Sequence, residues 1–160
     1  MSADRSEILG ELSVAVRRSQ RASEAVDAAA QTALGINRSD GRCLDALEQH
    51  GRMTEGELAR ATEMSTGGLT AVLDRLESEG YVRRTPDAHD RRIAFVDLTD
   101  RARELSWELF GPLAQETGPL LERYTDEQLR LLTEFHVIVA EMQERHAQQL
   151  RDRGRPADPR

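Results

Sequence analysis

The sequence predicts a mainly α-helical fold with a small β-wing, and three observations predict it. Apolar residues recur every three or four positions along most of the chain, which is the pattern of amphipathic helices. That period stops once, after Gly80, where two short stretches rich in β-branched and aromatic residues flank the loop-forming segment TPDAHDR. Pairs with capping-box spacing, Thr54 with Glu57 and Thr125 with Gln128, mark helix starts on both sides of the hairpin.

In chain order, Ile8, Leu12, Ala15, Val16, Val26, Ala30 and Leu34 belong to one long first helix, which Gly35 ends. Ser39 and Asp40 are expected to cap a second helix, with Cys43, Leu44 and Leu47 inward and Gly51 closing it. Thr54 opens a short third helix that buries Leu58 and Ala59. Ser65 or Thr66 caps a fourth, in which Leu69, Val72, Leu73 and Leu76 make an inward stripe. Gly80 stands where a left-handed residue ends a helix. Residues 81–84 and 92–98 read as the two strands of a hairpin. Thr99 caps a fifth helix with Ala102, Leu105, Leu109 and Leu113 on one face, which Gly111-Pro112 and Gly118-Pro119 should kink or break. Thr125 opens a sixth helix with Leu129, Leu132, Phe135, Val139 and Met142 inward, reaching Leu150. The tail RDRGRPADPR is expected to be disordered.

This order places a helix-turn-helix and a β-wing (37–99) between an N-terminal helix (1–36) and C-terminal helices (100–150), with a tail at 151–160. The flanking apolar stripes are too extensive for the small middle lobe to cover, so a second copy of the chain is the expected partner and both end regions are read as dimerisation helices.

The chain of 160 residues carries 22 basic and 29 acidic side chains, for a formal net charge of −7, and every basic residue is arginine. An acidic total argues against an indiscriminate nucleic-acid coat. A local basic surface survives it, because charges are screened beyond about 8 Å at physiological salt. Residues 81–92 form such a window, with Arg83, Arg84, Arg91 and Arg92 against Asp87 and Asp90. The single cysteine, Cys43, excludes an intrachain disulfide and reads as a core residue. The N-terminal MSADRSEILGEL has no signal-peptide hydrophobic region and no apolar run is long enough to span a membrane, so a cytoplasmic chain without a membrane partner is predicted. His50, His89, His136 and His146 lack metal-ligand spacing, and Trp107 is read as a packing residue. No nucleophile–base set or phosphate loop is present, so neither an enzyme nor a cofactor is predicted.

The stretch MTEGELARATEMSTGGLTAVLDRLESEGYVRR, followed by DRRIAFVDLT, resembles the MarR family of winged helix-turn-helix transcriptional regulators. The recognition helix ending in LDRLESEGYVRR, the Asp-Arg-Arg wing with its closing Leu-Thr, and the long flanking helices coincide. The resemblance covers nearly the whole chain, with the specific motifs in residues 39–99. It implies a homodimer whose two lobes meet successive major grooves of a pseudo-palindromic operator in double-stranded DNA, and the chain is read as a repressor. In many members it also implies a small aromatic or anionic effector that releases the DNA. Gly41 stands where a larger apolar residue is frequent in that family, which would loosen the second helix.

A fourth helix whose stripe is buried leaves Ser65, Thr66, Gly67, Thr70 and Arg75 for base edges and phosphates. The plain alternatives are that Ser65 or Thr66 only caps, and that Arg75 pairs with Glu79 on its own helix. By the resemblance Arg91 is the wing-tip residue that enters a minor groove. Asp90 then holds the turn or pairs with an arginine, while Arg84 and Arg92 touch phosphate from the hairpin flanks. The rival function is a winged-helix adaptor that binds protein instead of DNA, which the acidic total charge favours and the arginine cluster opposes.

Overall fold

The computed structural model describes residues 4–90 and 93–153. The expectations for Arg91, for Arg92 and for the last residues of the tail lie outside them. The chain divides between Leu109 and Phe110 into two compact units.

The first unit opens with α1 (Arg5–Leu34), which ends on Gly35 in the left-handed conformation at φ 68°. Then come α2 (Arg38–His50), β1 (Met53–Thr54), α3 (Glu55–Ala61), α4 (Thr66–Ser78), β2 (Val82–Pro86), β3 (Ala94–Leu98) and the first half of α5 (Asp100–Leu121). Two capping devices set this register. The Thr54 hydroxyl accepts the Glu57 N–H at 3.2 Å while the Glu57 carboxylate accepts the Thr54 N–H at 2.8 Å. At α2 the cap is Asn37, not Ser39 or Asp40. Asn37 has an extended backbone, and its side-chain oxygen accepts the N–H groups of Ser39 at 2.8 Å and Asp40 at 3.1 Å. Asp40 is the returning half of that box, three residues in.

The core of this unit is the stripe the sequence marked. Leu69, Val72, Leu73 and Leu76 of α4 are buried against Cys43 and Leu47 of α2 and Leu58 of α3, with Val82, Val96 and Leu98 of the sheet completing it. Gly41 is buried as well. A Cβ there would come within 2.9 Å of the Gln31 side chain, so this glycine marks a close approach of α1 and α2 instead of a gap. Three strands form one antiparallel sheet in the order β1-β3-β2. The two-residue β1 was not expected from sequence. β2 and β3 pair Val82 with Leu98, Arg83 with Asp97, Arg84 with Val96 and Thr85 with Phe95. Thr99 ties the base of the hairpin: its hydroxyl donates to the Gly80 carbonyl at 2.7 Å and its N–H donates to the Tyr81 carbonyl at 3.0 Å. It also caps α5 by accepting the Ala102 N–H.

Helix α5 is continuous through both proline positions, so the expected break does not occur. Each proline follows a glycine, Gly111 or Gly118. The clash that normally drives the preceding residue out of the helical region involves its Cβ, which glycine lacks.

In the second unit α6 (Asp126–Arg153) starts on the predicted box, with Thr125 and Gln128 bonded reciprocally at 2.9 and 3.2 Å. Its stripe is uncovered in the single chain. Leu132, Phe135 and Met142 are exposed, while Leu129 and Val139 are only half-buried. In the first unit Ile8 and Leu12 of α1 are exposed likewise, and Trp107, read as a packing residue, is 64 % exposed. Among the described residues no helix is long and apolar enough to cross a membrane.

Candidate nucleic-acid interface

Helix α4 buries one face and presents the other. Its exposed side carries Thr66, Gly67, Thr70, Ala71, Asp74 and Arg75, with the cap residue Ser65 at the start. The Ser65 oxygen accepts the Gly68 N–H at 3.2 Å, which settles the cap on Ser65 and leaves its hydroxyl proton available as a donor. Thr70 gives its proton to the Thr66 carbonyl at 3.0 Å, so its hydroxyl can still accept. A Cβ added at Gly67 would meet nothing within 4 Å. The front of the helix is therefore open, small and polar.

Arg75 does not pair with Glu79. It reaches across to α2, where its Nη2 lies 2.6 Å from Asp40 Oδ1. The Asp40 side chain is almost fully buried and the Arg75 side chain about half exposed. Asp40 thus serves two roles, capping α2 with one oxygen and holding the recognition helix with the other. A second long-range bond lies nearby: the Tyr81 hydroxyl donates to the Leu34 carbonyl at 3.1 Å, at the end of α1.

The hairpin alternates as its register requires. Val82, Val96 and Leu98 are buried, while Arg83 is exposed. Arg84 shares the inner side with Val82 and meets three carboxylates. Its Nη1 lies 2.9 Å from Glu77, its Nη2 lies 2.8 Å from Asp74, and its Nε comes within 3.0 Å of Glu55 without hydrogen-bond alignment. Its backbone N–H donates to Glu77 as well, at 3.2 Å. Burial works against the charge of Arg84, and the carboxylates of Asp74 and Glu77 outweigh that, lifting its pKa above the ordinary arginine value. The expected phosphate contact of Arg84 therefore falls on a side chain that already lies against three carboxylates.

At the start of the loop Asp87 holds the turn. Its Oδ1 accepts the N–H groups of His89 at 2.7 Å and Asp90 at 2.8 Å, which keeps its carboxyl below the usual range. Asp90, the expected turn residue, contributes its carbonyl to the Ile93 N–H at 2.9 Å. Arg52, also unanticipated, places its guanidinium 4.2 Å from the centre of the Phe95 ring. The period-2 pattern could have found the inward side of Arg84. Nothing local in the sequence pairs Arg75 with Asp40 or Arg52 with Phe95.

Cys43 is fully buried beside Met64, and burial followed by the nearby Asp40 charge pushes its thiol up to about 11. Among the described residues no group of three or more histidine, cysteine, aspartate or glutamate side chains could hold a metal ion.

Comparison with known proteins agrees with this geometry. A MarR family profile matches residues 34–93. The chain is 40 % identical over 124 residues to the HTH-type transcriptional regulator YcgE of Bacillus subtilis, itself uncharacterized; the match spans 77 % of this chain and 80 % of YcgE. In fold it is similar to NadR, solved in complex with 4-hydroxyphenylacetate, with a TM-score of 0.60 at 21 % identity over 88 % of this chain and 96 % of NadR. It is also similar to a single-residue mutant of MepR from S. aureus bound to an oligodeoxyribonucleotide, with a TM-score of 0.56 at 18 % identity over 82 % of this chain and 96 % of that one. The α4 helix, its wing and these relatives together place the chain in the MarR family of DNA-binding, winged-helix transcriptional regulators, which are not enzymes.

Proposed function

We propose that the chain acts in the cytoplasm as a homodimeric repressor that binds a pseudo-palindromic operator and is released by a small aromatic or anionic effector. The observation that carries the DNA reading is the exposed, small, polar front of α4 beside a hairpin whose loop holds the Asp-Arg-Arg sequence. In this reading Ser65, Thr66, Gly67 and Thr70 approach bases and phosphates in a major groove, and Arg75 reaches phosphate or guanine from its exposed half. Arg91 enters the neighbouring minor groove, where a narrow groove concentrates negative potential, and Arg92 neutralises phosphate. The uncovered apolar residues of α1 and α6 support pairing with a second copy. Such a dimer would span half-sites about 34–36 Å apart. MepR, bound to DNA, and NadR, bound to a small aromatic acid, support the operator and effector parts by likeness of fold.

The test is selection of the purified protein on a random duplex pool, with Arg91→Ala in parallel. The expected outcome is an inverted repeat that the wild type enriches and the variant, still folded and dimeric, does not. Equal enrichment by both at ~150 mM salt, where phosphate contacts still count, removes the wing from the interface. No enrichment by a folded wild-type dimer overturns the DNA reading in favour of a protein-binding adaptor.

A further inference from the structure

Arginines 83 and 84 are adjacent in a wing strand, and both would ordinarily be assigned to the DNA backbone. The structure separates them. Strand alternation turns Arg83 outward to solvent and Arg84 toward the helices, on the same side as the buried Val82. There the guanidinium meets carboxylates from two helices: Glu55 at the first residue of α3, and Asp74 and Glu77 on successive turns of α4. Its Nη2 also lies 3.4 Å from the Thr70 carbonyl on α4. Among the described residues the cluster holds three acids to one base, so its balance is negative. A phosphate approaching Arg84 would meet those acids first, and would have to displace aligned, charge-assisted bonds at 2.8 and 2.9 Å.

We infer that Arg84 is a positioning residue: it fixes the wing against the recognition helix and does not contact DNA. The planar fork of a guanidinium is what this needs, because its nitrogens point toward separate acceptors at once. Thr70 belongs to the proposed reading surface, and its carbonyl and the next turn of α4 are held by the same side chain. Arg84 thereby adds a polar link between groove-reading helix and wing to the apolar core they share. The surplus acids add a specificity effect, since they keep the C-terminal half of α4 from settling on arbitrary phosphates.

The inference rests on the DNA reading for its functional half, and the test has an arm that does not. Arg84→Lys keeps the charge and loses the fork. Arg83→Met removes one charge from the neighbouring position and serves as the electrostatic control. Without DNA, amide exchange of residues 82–86 and 94–98 should speed up in Arg84→Lys and stay at the wild-type rate in Arg83→Met. With the selected operator, Arg84→Lys should lose roughly tenfold or more in affinity while the slope of log affinity against log salt stays unchanged. A phosphate contact gives the opposite pattern. Lysine would substitute for it with little loss, and Arg84→Met would lower the slope by about 0.9. Unaltered exchange in Arg84→Lys, or that lowered slope in Arg84→Met, overturns the positioning role. If the wild type binds no duplex at all the DNA reading fails, and the exchange arm still decides whether Arg84 holds the wing.

Discussion

The same substitution at two glycines, one in the first turn of the recognition helix and one just past its end, should have opposite effects on stability. Gly80 follows α4 with φ 73°, and its neighbours make the paired bonds of a helix stop: Gly80 N–H to the Glu77 carbonyl at 3.0 Å and Tyr81 N–H to the Leu76 carbonyl at 2.8 Å. An alanine there must hold a left-handed backbone at about 1–2 kcal/mol. Its Cβ would also stand 3.3 Å from Arg101 Nη1, on a flexible side chain that can yield. Stiffening the unfolded chain returns about 0.4–1 kcal/mol. The net loss is about 0–1.6 kcal/mol. Gly67 lies in the first turn of α4, and its added Cβ meets nothing. There Gly→Ala should gain up to about 1 kcal/mol, reduced by its terminal position. For a chain of 160 residues, about 1 kcal/mol moves the melting temperature by about 2–4 °C. Differential scanning calorimetry of Gly80→Ala and Gly67→Ala beside wild type measures both. The first should melt lower and the second at or above wild type. A Gly80→Ala protein that melts higher than wild type would refute the left-handed stop, and with it the way the chain turns from helix into wing.

Two further expectations concern titration. Asp87 is held below the ordinary carboxylate range by the N–H groups of Asp90 and His89, so its contribution to wing order is complete above its unfolded value of about 3.9 and is lost as pH falls through the lower folded value. Amide exchange in the wing should separate Asp87→Ala from wild type at neutral pH, and the two should converge as the solution is acidified; a gap that widens in acid contradicts the turn assignment. Cys43, buried and pushed up to about 11, should resist iodoacetamide at neutral pH in the folded protein and react once it is unfolded in denaturant. Rapid alkylation of the native protein would show that the α2 core opens.

What was legible in the sequence was what neighbours within one turn decide. The α4 stripe, the Thr54 and Thr125 boxes and the Gly80 stop depend on residues three or four apart, and each stands where the pattern put it. Asn37 was missed because Asn37, Ser39 and Asp40 are all good caps within four positions, and backbone geometry had to choose. The two prolines of α5 each follow a glycine, which lacks the Cβ that adds to the clash with the proline ring, and neither ended the helix. The interface was the least legible part. Arg75 finds Asp40 from thirty-five positions away, and the acids around Arg84 come from positions 55, 74 and 77. Such pairings are products of the fold, and spacing alone does not encode them.

The two bonds that end at the junction of α1 and α2 carry a mechanical consequence. Asp40 holds Arg75 in the last turn of α4, and the Leu34 carbonyl holds Tyr81 just beyond its end. Between those anchors the chain turns through Gly35, Ile36 and Asn37. The recognition helix is thus strapped at two points to a short elbow, and the second point lies where the helix passes into the wing. If the elbow flexes, α4 must swing with it or one strap must break. The orientation of the reading surface is therefore geared to a three-residue joint at the other end of those straps.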